Sequence, residues 1–183
     1  MSGGYRAAMD PRPVLDLIAA AGRGDGVVLV GIGGHGAAGK TTLARMIPEA
    51  QIVSTDEFWD GEGFDIGRLG REVVTPLSEG ATATFPSYDW SARELRGSRT
   101  VEPTGVVVVE GVCALHRELR DAYAVRVWVE APADVRLARG VARDGEQARS
   151  TWTDVWMPSE DRYVEQDDPV SCAHLIVLSG QEP

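Results

Sequence analysis

Short unbroken apolar runs recur along this chain, separated by stretches of helical spacing. VVLVGI (27–32), VVVVE (106–110), VRVWVE (125–130) and HLIVL (174–178) are rich in β-branched residues and lack polar alternation, the pattern of strands buried on both faces. QIVST (51–55) is a weaker fifth run. Between them, residues 14–21, 41–47, 115–122 and 133–143 carry apolar positions at helical spacing. Strands alternating with helices predict an α/β fold of three layers around a five-stranded parallel sheet. No repeat or low-complexity segment is present, and 183 residues suit one domain, 1–183, with a helix in its first 26 residues.

One segment breaks the alternation. Residues 57–104 separate the second strand from the third; they predict a helix over 66–77 and one arm of a hairpin at TATF (82–85). Insertions this long are functional or disordered, and the aromatics in this one argue for order.

Composition narrows the partners. A net charge of -10 disfavours nucleic acid and anionic membranes, which leaves a small molecule as the expected partner. Cys113 and Cys172 show no CxxC spacing and the three histidines are scattered, so neither a disulfide framework nor a zinc site is indicated. Both thiols are expected to be buried and inert. The N-terminus lacks an apolar signal core and no run reaches the roughly eighteen apolar residues of a membrane span, so a cytoplasmic location is expected.

Among 18 basic residues there is one lysine, Lys40, and it stands in GGHGAAGKTT (33–42). Gly34, Gly39, Lys40 and Thr41 satisfy G-x-x-x-x-G-K-[ST] between a predicted strand and a predicted helix, the context a phosphate loop requires. The backbone of Gly34, His35, Gly36, Ala37, Ala38, Gly39, Lys40, Thr41 and Thr42 would then wrap a polyphosphate with its N–H groups. His35 would offer mainly its backbone and has no catalytic role. Lys40 would bridge the outer phosphates, where a compact ammonium fits and a planar guanidinium does not. Thr41 would offer its hydroxyl to Mg²⁺. Asp56, just past the second strand, would face the terminal phosphate from the acceptor side, where a carboxylate can take a hydroxyl proton. Glu110, at the end of VVVVE, would hold Mg²⁺ directly or through water.

The ordered set GIGGHGAAGKTTLA, STDEFW, SYDW, VVVEGV and RLARGVARD resembles the uridine kinases and their relatives, the group that includes phosphoribulokinase and pantothenate kinase, over residues 27–178. The resemblance implies a phosphate-loop (P-loop) NTPase fold, MgATP as donor and a small hydroxyl-bearing acceptor. It implies Asp56 as general base, Asp65 on ribose hydroxyls, Tyr88 near the nucleobase, Arg136 beside the sugar, and Arg139 and Arg143 as lid arginines that neutralise the transferring phosphoryl group. Residues 57–104 would bind the acceptor and 136–150 would form a short lid. Relatives of this group assemble as oligomers, so a homo-oligomer is an expectation. By spacing alone, 136, 139 and 143 fall on one helical face, where three guanidiniums would attract polyphosphate.

Departures from the family pattern bear on the acceptor. Uridine kinases carry a histidine five residues after the YDF tyrosine, and this chain has Arg93 there, which could meet a charged acceptor or pair with Glu94 or Glu72. Three functions stay open: a nucleoside kinase, a kinase for another small acceptor on the same scaffold, and a nucleotide-binding switch. Asp56 with Asp65 speaks against the switch, which needs no acceptor pocket. Phe58, Trp59, Tyr88 and Trp90 are candidates for stacking on a planar acceptor. Trp128 reads as core, His116 and His174 as structural, and Trp152 with Trp156 as a packing stripe on a helix ending near Pro158.

Overall fold

In a computed structural model, residues 5–22 and 26–180 are described, and the parts of the expected N-terminal helical region at 1–4 and 23–25 lie outside them. Eight strands form: β1 (Tyr5–Ala8), β2 (Val28–Gly34), β3 (Gln51–Ser54), β4 (Ala83–Asp89), β5 (Glu94–Val101), β6 (Val106–Glu110), β7 (Val125–Glu130) and β8 (Leu175–Leu178). Six of them make one sheet in the order β1-β8-β7-β2-β6-β3, with every pair parallel. The five expected strands are its core, and β1 adds an edge that the sequence reading did not foresee.

Alternation along the strands builds two cores. Val107, Val109 and Leu29 point into one apolar cluster, with Phe58, Leu69, Leu77 and Trp128. Val108, Val28, Val30 and Ile32 point into the other, with Val14, Ile18 and Leu43. Successive side chains of a strand face opposite ways, so a run of valines serves both layers at once. The helix α1 (Arg12–Ala21) covers the second cluster with Val14 and Ile18.

Two helices differ from expectation. The helix α2 spans Lys40–Arg45, not 41–47: Met46 and Ile47 donate to Leu43 and Ala44 three residues back, and Pro48 ends the run. Residues 115–122 form turns and one 3-10 turn, Arg120–Ala122. Leu115, Leu119 and Tyr123 keep their helical spacing because all three enter the core. The chain between them closes with three-residue bonds, His116 to Cys113 and Leu119 to His116, while Asp167 anchors Arg117. Tertiary packing outweighs local preference here.

The insertion is ordered as expected. Its helix runs 66–78, and β4 pairs antiparallel with β5, placing TATF in a hairpin arm. Both this helix and the long one at 149–167 contain a π turn, Gly70–Val74 and Trp152–Trp156, and each lies two residues before a proline. In each, the residue preceding proline donates five residues back, Thr75 to Gly70 and Met157 to Trp152. Widening the turn accommodates a ring that would otherwise press on the carbonyl four residues back. The second helix therefore passes through Pro158 to Asp167 instead of ending there.

The helix Ala133–Asp144 packs on this long helix through Gly140. A Cβ at Gly140 would overlap the Trp152 ring, which is 2% exposed. Elsewhere in a helix, glycine to alanine stabilises by about 1 kcal/mol. Gly140→Ala is expected to destabilise by about 1–3 kcal/mol through overpacking. Urea unfolding checks the sign, and an unchanged or higher midpoint would contradict this packing.

Candidate active site

The ends of β2, β3 and β6 converge on one edge of the sheet. From β2 the chain turns at Gly34, where a Cβ would lie 2.5 Å from the Val129 carbonyl oxygen, so only glycine fits against the neighbouring strand. Ala37 and Gly39 take left-handed conformations at φ 58° and 106°, and α2 begins at Lys40. Lys40 is 8% exposed, its stem lying under Gly34, and its Nζ donates to the His35 carbonyl at 2.7 Å. Burial pulls the ammonium's pKa down, opposed by the charges of Glu110, Glu160 and Asp56.

Next along α2, the Thr41 hydroxyl donates to Glu110 Oε1 at 3.0 Å. Glu110 is 4% exposed, and burial raises its pKa against the pull of Lys40 and Thr41. A hydroxyl and a carboxylate side by side are hard oxygen donors, a set that fits Mg²⁺ held in part by water and phosphate.

Asp56 and Glu57 share the 3-10 turn Thr55–Phe58 but face different ways. Ser54 and Glu57 form a reciprocal cap, a signal legible as S-x-x-E in STDE and not read there. Glu57 also accepts from Ser87 Oγ at 2.7 Å and pairs with Arg99, so it fastens the hairpin to the sheet edge. The Asp56 side chain takes no part in that fastening and is exposed. Its side chain reaches solvent, yet the surrounding protein desolvates it enough to raise its pKa, while Lys40 and Arg143 pull it down. Asp56 thus feels the charges of Lys40 and Arg143, and Glu110 those of Lys40 and Asp56.

The family model for the phosphoribulokinase / uridine kinase family matches residues 49–180. The chain belongs to this family. The match begins after the phosphate loop, so the loop motif and the family model are separate observations. A uridine kinase from Halobacterium salinarum is 31% identical over 138 residues, 63% of this chain and 61% of that protein. The Arabidopsis thaliana inorganic pyrophosphatase TTM2 is also 31% identical, over 69% of this chain and 21% of its own length. The chain thus spans only 21%, 30% and 61% of the first three curated relatives it matches. Among solved structures, one from Silicibacter sp. TM1040 named for a fructose transport system kinase superposes with a TM-score of 0.73 at 20% identity, covering 95% of this chain and all of that one. At that identity the likeness shows the fold, and the fold is the P-loop kinase one.

Within the family frame, the arginine row divides. Arg136 is 6% exposed and turns inward, its Nε donating to the Ala131 carbonyl at 3.2 Å and its Nη1 lying 3.6 Å from Glu160. Arg139 donates to Ser179 Oγ at 2.9 Å, beside Gly39. Arg143 pairs with Asp144 through Nε at 2.8 Å and Nη2 at 3.0 Å. Of the three, Arg136 is the buried one, and Arg143 is the one whose charge pulls on Asp56. In this structure the three side chains of the row engage different partners: Glu160, Ser179 and Asp144.

Asp65 caps the insertion helix, accepting from the Arg68 N–H at 2.8 Å through one carboxylate oxygen. Tyr88 sits edge-on to Trp90 at 5.1 Å, and Trp59 joins both Trp90 and Phe64, a connected aromatic surface. Phe58 is not part of it; it is buried under Arg68 and against Phe85. Arg93 occupies the exposed hairpin turn at φ 56°, and its two candidate partners are engaged elsewhere, Glu72 with Arg68 and Glu94 with Arg96. Cys113 and Cys172 are both only partly buried, not fully as expected; desolvation pushes the Cys113 thiol up to about 12 and that of Cys172 up as well, which disfavours the thiolate. Among the described residues no helix is long and apolar enough to cross a membrane. Glu160 and Ser179 were not singled out from the sequence; each acts through long-range pairing that leaves no local pattern.

Proposed function

We propose that this protein is an ATP-dependent kinase that transfers the γ-phosphoryl group to a hydroxyl of a small acceptor, with a nucleoside of the uridine or cytidine type as the first candidate. The reading rests on Asp56, just past the end of β3, standing within electrostatic reach of Lys40 in the glycine-shaped loop. A phosphate-binding cation and a proton acceptor near one another are what phosphoryl transfer to an alcohol requires.

ATP enters with its phosphates along residues 34–42, and the Lys40 ammonium moves from the His35 carbonyl to the bridging and terminal oxygens. Thr41 and Glu110 would hold Mg²⁺, which supplies charge neutralisation on the phosphates. The acceptor lies under the insertion, oriented by Asp65 and stacked on Tyr88 and its neighbours. Asp56 accepts the hydroxyl proton as the oxygen attacks phosphorus, and the bond to the ADP leaving oxygen breaks. Arg143 moves from Asp144 to the transferring group, Arg139 stays beside Ser179 and Gly39 on the nucleotide's flank, and closure of the helix that bears them excludes water.

The acid limb of the rate reports Asp56. A base must be ionised, so kcat/KM is lost as pH falls through its pKa, which burial holds above the ordinary carboxylate value. Removing Arg143 takes away a charge that lowers this pKa. The limb of Arg143→Met is therefore expected to move to higher pH, and a pH profile that stays put or moves lower would contradict the placement.

Mass spectrometry of MgATP reactions with uridine, cytidine, purine nucleosides, sugars, sugar phosphates and pantothenate identifies the acceptor. A pyrimidine monophosphate supports the nucleoside reading. Product from another class alone reassigns the acceptor, and ATP binding with no product from any class supports a nucleotide-binding switch.

A further inference from the structure

Glu160 is a buried carboxylate for which the proposed transfer has no role. It lies 124 residues from Gly36 in sequence, yet its Oε2 accepts from the Gly36 N–H at 2.9 Å, inside the phosphate loop. The residue is 8% exposed, and burial raises its pKa against the pull of Gly36, Lys40 and Arg136. A lone carboxylate beside a polyphosphate site would repel the ligand; here Arg136 Nη1 stands 3.6 Å away and offsets its charge. Arg136 Nη1 has no hydrogen-bond partner among the described residues, so facing Glu160 is what this buried atom does.

Three side chains of the same helix reach the loop. Trp152 packs on Gly36, where a Cβ would come within 2.9 Å of the ring and 2.5 Å of Glu160 Oε1. Asp161 Oδ1 lies 3.2 Å from His35 Nε2, and burial, with Arg136 nearby, lowers the pKa of that ring. In a regular helix Trp152 and Glu160 would diverge, because eight residues overshoot two turns by about 80°. The π turn at Trp152–Trp156 takes up one extra residue, so the two positions behave as about seven apart and share a face. The helix irregularity caused by Pro158 thus aims both side chains at Gly36.

We infer that Glu160, neutralised by Arg136, is a positioning residue of the nucleotide site: it fixes Gly36 and so holds the phosphate loop in its binding shape. The inference rests on the proposed nucleotide binding at this loop. It gives Arg136 a place under the donor nucleotide instead of beside the acceptor.

Titration calorimetry with MgADP tests it on the full chain, with thermal unfolding as a check on folding. Glu160→Ala is expected to weaken MgADP about tenfold, the order of a lost charge-assisted hydrogen bond, with kcat at saturating ATP changed less than about threefold. Glu160→Gln keeps an acceptor for Gly36 and is expected to bind within about threefold of wild type. Arg136→Met leaves an unpaired carboxylate by the phosphates and should weaken MgADP, and adding Glu160→Gln to it should restore binding. These last two variants also serve if Glu160→Ala does not fold. Unchanged MgADP affinity in folded Glu160→Ala would overturn the inference, as would a Glu160→Gln as weak as alanine or an Arg136→Met that binds normally. A wild-type protein that does not bind MgADP would instead overturn the kinase reading itself, and this inference with it.

Discussion

Asp56→Asn is expected to lower kcat about a thousandfold, within the range for loss of a general base, while MgATP affinity stays within about threefold of wild type. Asparagine keeps the shape of the side chain and a hydrogen-bond acceptor but cannot take a proton. The surroundings make the loss specific to turnover. Ser54 and Glu57 fix the turn independently of the Asp56 side chain, and the phosphate loop belongs to a different strand end. Steady-state kinetics with nucleotide titration separates the two effects. A variant with near wild-type turnover would remove Asp56 from the mechanism, and one that loses ATP affinity in proportion would make it a structural residue of the loop.

The second large effect concerns the one lysine. Lys40→Arg keeps the charge, yet kcat/KM is expected to fall by about 10²–10³, as far as in Lys40→Ala, because the cation must stabilise charge from one enclosed position. Lys40 is 8% exposed, with its Cγ and Cδ 3.3 and 3.4 Å from where a Gly34 Cβ would stand. A guanidinium has no room to lie in that channel and cannot reach the phosphates as a point charge. This composition uses arginine at every other basic position, which makes Lys40 a place where shape and not charge decides. An arginine variant with more than a tenth of wild-type kcat/KM would contradict this account of the channel.

Local patterns carried much of the fold into view. The valine runs announced buried strands because both faces of the sheet are covered, and the glycine-lysine motif could be placed because it sits where a strand gives way to a helix. Position at a strand's carboxyl end was enough to put Asp56 and Glu110 on the same edge of the sheet, where the charge of one acts on the other. What stayed hidden depends on distant partners. The turns at 115–122 keep helical spacing without a helix, since Leu115, Leu119 and Tyr123 answer to the core. The row 136, 139 and 143 has the right phase, but Glu160 draws Arg136 inward from another helix. Glu160 itself looks like a surface acid in sequence and becomes buried only because a proline-driven π turn rotates it to the loop. The edge strand β1 is short and pairs only with β8, so its four residues stood out neither by hydropathy nor by length.

The most direct measurement is ADP release from MgATP by the wild-type protein and Asp56→Asn, with and without an acceptor from the nucleoside and sugar panel. The account predicts release that requires both Mg²⁺ and an acceptor, and that Asp56→Asn nearly abolishes. Acceptor-independent release of the same rate in both proteins, or no release with any acceptor, would contradict it.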